Sequence, residues 1–464
     1  MIMPNNTLLL AHFTAEAPVD PAARAAAADA IIDTLAVMIA GGHEPGVRAL
    51  ASTLAEVAPG PGAVASLWLR AAYRAEDAAL LFGMASHVLD YDDVSMLAIC
   101  HPSAPVVSAL LCASDWDDLS GDRLRDAVAI GTEVMIRLGE MIGFRHYELG
   151  FHATATLGVF GATAAVARLR GFSVAQTANA FAIAASLSSG LRINFGSMIK
   201  SLHVGIAAAN ALRAIAWCEG GIVATTADVF AIDGFLGAFS GGHSASMNLS
   251  AFLGRPFVIA SPGFERKRFP CCYMLHKLIA GSLALARDHD LVIDQIRDVT
   301  VQMPVGGTRP LNHPVPATGM QAMFSGPYAV LAAIHDRRIG FTSFTDAAVA
   351  RPAIRARLSD VAVIEVGNQA LTAREVEAAP VTVNLTLRDG RELEHRVAVT
   401  PGSAADPMSH AELAEKWRDC LTRAAPALAA ADAALLLLNG RESLAGAAPI
   451  APWLHQIART IVTP

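Results

Sequence analysis

Charge is scarce in this chain. Asp, Glu, Lys and Arg make up 17% of its 464 residues and leave a formal net charge of -7. It has no Lys/Arg-rich run and no interleaving of basic with aromatic residues, so a nucleic-acid partner is not expected. Long apolar runs are missing too. No stretch reaches the roughly 18 apolar residues of a membrane span, and the best candidate, 178–191, is broken by Asn179, Ser186, Ser188 and Ser189. A membrane partner is therefore not expected. No basic residue precedes Leu8, Leu9 and Leu10, which argues against a secretory signal. Six cysteines in so long a chain, two of them the adjacent Cys271 and Cys272, do not make a disulfide framework. The expected location is the cytoplasm. No Gly-x-Gly-x-x-Gly run follows a strand pattern, and no His/Cys spacing matches a common zinc motif. Nothing in the chain demands NAD, flavin or ATP, and no cofactor is expected.

What the chain does have is apolar mass. Hydrophobic residues make up 53% of it, enough for a large core spread over roughly two or three domains. From about 15 to 265 the pattern is helical. Ala22–Ala40 starts after Pro21 and ends at Gly41 and Gly42. Residues 72–90 are Ala/Leu-rich with helical spacing. Residues 154–169 carry small side chains at 158, 161, 162 and 165, which permit close helix approach, and 198–219 read as one further helix. After about 290 the character changes. Val299–Met303 and Val361–Val366 are β-branched, and Val381–Leu387 alternates, turns at Arg388–Arg391 and returns over Glu392–Val399. Helical pattern resumes from His410 to Arg423. The expected fold is mainly α: a large all-helical domain from 1–266 and 408–464, with a smaller α+β lid domain, 267–407, inserted between.

Five segments carry polar residues that apolar helices do not need. The first is His87, Asp90 and Asp93, followed by His101. Read as a helix, positions 87, 90 and 94 share a face. The second is Gly150-Phe151-His152, which puts His152 near a helix N-terminus, where an imidazole pKa is lowered. In the third, Lys200 and His203 lie three residues apart; the lysine either snorkels to solvent or forms an anion pocket with His203. The fourth runs from Arg266 through Lys267 to Cys272 and on to His276, with Arg266 and Arg268 suited to a solvated hinge. The fifth, Phe324–Tyr328, offers either a core aromatic or a phenol for chemistry. Imidazoles, lysine, phenol and carboxylates together suit binding a small polycarboxylate and moving a proton beside one of its carboxylates.

In this order and spacing the segments resemble the MmgE/PrpD family over almost the whole chain. The resemblance rests on Ile32-Asp33-Thr34-Leu35, His87-x-x-Asp90-Tyr-Asp-Asp93, His101-Pro102, Gly150-Phe151-His152 and Lys200-x-x-His203-x-Gly205-x-Ala207-Ala208. It continues through Asp233-Gly234-Phe235, Lys267-x-Phe269-Pro270-Cys271-Cys272-x-x-x-His276 and Phe324-Ser325-x-x-Tyr328. It implies a helical domain with an α+β lid, a homodimer, and chemistry without metal or cofactor. It places Asp90, His101, His152, Lys200 and Tyr328 in the cleft, with Lys267 and His276 near it, and leaves His87 and Asp93 as support. The expected function is that of a cofactor-independent lyase or isomerase of dehydratase, decarboxylase or epimerase type. Its substrate would be a small di- or tricarboxylate. Asp90, His101, His152 and Tyr328 would be catalytic; Lys200, Lys267, His203, His276 and Arg192 would bind substrate. Two other readings remain: a metal-dependent hydrolase with His87, Asp90, His101 and His152 as ligands, and a catalytically degenerate member that only binds a carboxylate.

Overall fold

The computed structural model describes residues 5–60, 62–243, 249–367 and 372–462. The chain is mainly helical and forms two compact units. One is made of 1–193, 198–264 and 409–464, the other of 194–197 and 265–408.

The centre of the helical unit is the helix Pro21–Gly41. Pro21 sits in its first turn, and the Asp20 side chain accepts from the Ala23 amide to cap it. Every residue from Ala30 to Gly41 is buried. A helix apolar on all sides belongs inside a protein. Among the described residues no single helix is long and apolar enough to cross a membrane. The small residues of the helix Ala153–Arg170 allow the close approach their size suggests. A Cβ on Gly161 would lie 2.8 Å from Met135 Cβ, and one on Gly158 would lie 3.0 Å from Pro105.

The helices Ala75–His87 and Met198–Glu219 approach closest. A Cβ on Gly83 would stand 2.5 Å from Gly205 Cα, and one on Gly205 would stand 2.2 Å from the Leu80 carbonyl oxygen. Backbone meets backbone here, and the contact brings Lys200 alongside His87. Gly205→Ala is expected to force the two helices apart, at a cost of about 1–3 kcal/mol. Urea denaturation measures this; wild-type stability in that variant would mean the crossing tolerates a methyl group.

Residues 72–90 are not one helix. A short hairpin pairs β1 (Ala63–Ala65) with β2 (Ala72–Arg74), the helix then runs from Ala75, and it stops at His87. The last part of the chain returns to this unit as the helix His410–Ala424, opened by a Ser409/Glu412 capping box. Its Lys416 is buried. The ammonium lies 2.7 Å from Asp33 Oδ1, donates to the Tyr91 carbonyl at 2.7 Å and stands 4.0 Å from the Tyr91 ring centroid. The helix His410–Ala424 thus holds the loop that follows His87.

In the α+β unit a four-stranded sheet has the order β4-β3-β5-β6. β3 (Ile296–Pro304) and β4 (Val361–Val366) are parallel; β5 (Val381–Leu387) is antiparallel to β3, and β6 (Glu392–Val397) to β5. The hairpin turn uses Gly390 at φ 90. Val381, Val383, Leu385 and Leu387 alternate onto the buried face. There they share a core with Leu278 and Ile279 of the helix His276–Asp288 and with Val330 and Ile334 of the helix Gly326–Asp336.

Candidate active site

The site in the helical unit is organised by a turn, not by a helix face. After His87 the chain leaves the helix, and Asp90 adopts φ 48, a left-handed conformation that Asp tolerates better than most residues. The shared face of 87, 90 and 94 expected from helical spacing therefore does not exist. Asp90 comes back beside His87 through the turn, its amide donating to the His87 carbonyl at 3.0 Å.

The turn sends three nearby carboxylates to three different partners. Asp90 Oδ1 accepts from Lys200 Nζ at 2.6 Å. Asp92 lies 2.8 Å from His87 Nδ1 and 3.3 Å from His101 Nδ1. Asp93 accepts from the Ser103 amide at 3.2 Å and from the Ser103 hydroxyl. It thereby anchors the start of the helix Ser103–Cys112. Burial pushes the Asp93 carboxyl up to about 7; the Ser103 hydrogen bonds oppose this, and Asp33 and Asp92 add to it.

Lys200 does not snorkel. It is 6% exposed, and its ammonium lies 2.6 Å from Asp90 and 2.8 Å from His87 Nε2. Burial lowers His87 to about 3, against the pull of Asp92 and with further lowering from Lys200, so the ring is neutral. His152 is the N-cap residue of the helix Ala153–Arg170 and uses no side-chain cap bond. Its Nδ1 lies 3.1 Å from His203 Nδ1. Burial first, then Lys200 and His87, hold His152 well below its ordinary pKa; burial and Lys200 lower His203 to about 4. His101 Nε2 stands 4.0 Å from Asp90 Oδ1, and the His101 and His87 ring centroids are 4.4 Å apart. The result is one buried cluster: an ammonium, carboxylates, and imidazoles able to take or give a proton.

Asp90, His101, His152, Lys200 and His203 thus come together in the structure. His87, read from the sequence as support, is in direct contact with Lys200. Asp92 was not singled out at all, because nothing in the spacing of three close acidic residues says which of them faces an imidazole. Arg192 stacks its guanidinium over the Tyr147 ring at 4.6 Å. Lys267, His276 and Tyr328 belong to the α+β unit. Lys267 is fully buried, and His276 begins its helix buried against the Phe269 and Tyr273 rings, each 5.2 Å away. Tyr328 is fully buried; its hydroxyl donates to the Ser343 carbonyl, and burial raises its pKa against the pull of Arg351.

Among the described residues one group of side chains could hold a metal ion, and it differs from the one expected. His87, Asp90, Asp92 and His101 offer ligand atoms within 4.8 Å of one another; His152 is not part of the set. The Lys200 ammonium, at contact distance from both Asp90 and His87, already stands in the cation position. A dication there would meet a positive charge at close range, so the residues suit an ammonium better than a metal ion.

Buried neutral histidines make stability depend on pH. His87 and His146, lowered by burial to about 3 and about 4, and His152, held well below its ordinary value, stay neutral in the folded protein while their unfolded counterparts protonate below about 6.5. Each such proton removes about 1.4 kcal/mol per pH unit as pH falls. Asp93 acts in the opposite sense, because its raised pKa gives the folded state an extra proton between about 7 and the ordinary carboxyl range. The histidines outnumber it. The melting temperature is expected to fall steadily from pH 6.5 to 4.5; a flat or rising profile would contradict neutral burial.

Comparison with known proteins bears on this geometry. The model of the MmgE/PrpD N-terminal domain matches residues 9–248, and that of the MmgE/PrpD C-terminal domain matches 269–438. A cis-aconitate decarboxylase of Homo sapiens is 27% identical over 355 residues, covering 74% of this chain and 71% of its own. A cis-aconitate decarboxylase-like protein, oryM, of Aspergillus oryzae is 24% identical over 414 residues, covering 84% of each.

Proposed function

This chain belongs to the MmgE/PrpD family, and on that premise we propose that it is a cofactor-independent lyase or isomerase of a small di- or tricarboxylate. The observation that carries the reading is the buried Lys200 ammonium set among neutral imidazoles. A substrate carboxylate competes with Asp90 for that ammonium. A histidine, His101 or the neutral His152, removes the proton from the carbon next to the carboxylate, and Lys200 stabilises the enolate-like charge that develops. The names of the two relatives favour a substrate like cis-aconitate. Dehydration, decarboxylation and epimerisation all use this set of groups. Lys267, His276 and Arg192 are proposed as further carboxylate contacts. Tyr328 is proposed as a proton donor, a role that requires it to give up its bond to Ser343.

The test is an NMR assay in deuterated water with citrate-like, aconitate-like and aspartate-derived carboxylates. Turnover, or deuterium entering next to a carboxylate, supports the reading, and wash-in without net conversion points to epimerisation. A polycarboxylate that raises the melting temperature but never exchanges or reacts would instead mark a binding protein. The His87/Asp90/Asp92/His101 grouping gives a metal-dependent hydrolase a specific basis. Stoichiometric, tightly bound zinc in the active purified protein would favour that alternative. A homodimer and a cytoplasmic location are part of the same proposal, and light scattering tests the first.

A further inference from the structure

We infer that Lys416 is a positioning residue of the candidate active site, acting through the main chain of Tyr91; its effect on catalysis rests on the function proposed above. Asp90, Tyr91 and Asp92 are consecutive, yet the two carboxylates go to different partners. Asp90 meets Lys200 at 2.6 Å and Asp92 meets His87 Nδ1 at 2.8 Å. Between them, the Lys416 ammonium donates to the Tyr91 carbonyl at 2.7 Å and lies 4.0 Å from the centroid of the Tyr91 ring. The grip falls on the residue that joins the two carboxylates, and it comes from a helix 325 residues further along the chain.

The turn needs such a grip. Asp90 at φ 48 holds a conformation that is unfavourable for a residue with a Cβ and persists where the surrounding contacts enforce it. Ser103 fastens the far end of the turn through Asp93, and Lys416 fastens its middle. An ammonium suits this place because it has three donors and no acceptor. Its charge is balanced by Asp33, 2.7 Å away on the helix Pro21–Gly41, and both side chains are buried. Ion pairing alone is a poor reason for two such charges, since replacing a buried pair by apolar side chains of similar volume is often neutral or stabilising. The bond to the Tyr91 main chain is what an apolar pair could not supply.

His87 supplies a readout that needs no substrate. Lys200 Nζ, 2.8 Å from His87 Nε2, can only donate, so the proton of this neutral ring sits on Nδ1, facing Asp92. Proton NMR of the 15N-histidine-labelled protein at neutral pH should show it as a slowly exchanging downfield signal that is missing in His87→Gln. Lys416→Met should lower the melting temperature, because Asp33 is stranded. Lys416→Met/Asp33→Asn removes both charges and should regain most of that loss, but not the hold on Tyr91. In this double variant the His87 signal should broaden or vanish. On the substrate identified by the deuterium assay, its kcat should fall about 10²-fold with KM little changed. Asp33→Asn keeps the bond to Tyr91, so it should lose melting temperature yet keep kcat and the His87 signal. A double variant with the wild-type His87 signal, or with wild-type kcat, overturns the inference. If the double variant does not fold, Asp33→Asn decides: loss of the His87 signal there would mean that the ion pair, not the carbonyl bond, shapes the site. The expected signal changes in a protein that turns over no carboxylate would support the positioning role while sinking the functional reading.

Discussion

Replacing Lys200 by methionine is expected to reduce kcat/KM by at least about 10²–10³-fold, the usual cost of removing a group aimed at developing negative charge. Methionine keeps the length and apolar stem of the side chain, so packing changes little. The charge does not survive, and Asp90 loses the ammonium that stands 2.6 Å from it. Breaking a buried ion pair from one side costs about 3–5 kcal/mol, so Lys200→Met should be less stable as well as inactive. The double variant Lys200→Met/Asp90→Asn separates the two effects. Removing both charges should restore most of the stability and none of the activity, as urea denaturation and steady-state kinetics would report. Full turnover by Lys200→Met on the true substrate would end the proposal that this ammonium binds a carboxylate.

His152→Gln should lower kcat by about 10²–10⁴-fold, the range for a lost general acid or base, yet leave the fold standing. Unlike Lys200, His152 is neutral in the folded protein, because burial and the nearby Lys200 hold its pKa down. Its removal strands no buried charge. Glutamine occupies similar space but cannot relay a proton. His152 Nδ1 and His203 Nδ1 are 3.1 Å apart, so one donates and the other accepts. The tautomer of His203 therefore decides whether His152 presents a lone pair or a proton at Nε2. Kinetics together with circular dichroism check the prediction: a folded His152→Gln enzyme with undiminished kcat would remove His152 from the proton transfer.

Lysine usage shows how physics separates what can be read locally from what cannot. The chain has only four lysines, Lys200, Lys267, Lys277 and Lys416, and all four are buried. A lysine in an alanine-rich helix reads equally well as a snorkelling surface residue or as a buried charge. The choice depends on whether a partner is present, and the partners are far away in the chain. Asp90 is 110 residues from Lys200. The Tyr91 carbonyl is 325 residues from Lys416. Lys277 donates to the carbonyls of Glu377 and Ala379.

Helical periodicity, the β-branched strands after 290, the glycines that let helices touch, and the concentration of imidazoles and carboxylates in an apolar chain were all determined by the sequence itself. They are local properties: each depends on neighbours within a turn or a strand. The inserted α+β unit was legible for the same reason, as a change of period along the chain. Only the tertiary structure decided which of Asp90, Asp92 and Asp93 does what. One residue at φ 48 redirects all three, and their partners arrive from a separate helix, from the loop at His101 and from Ser103. A buried carboxylate is defined by the proton donor it meets, and that meeting is long-range, so spacing along the chain could identify the cluster but not its internal wiring.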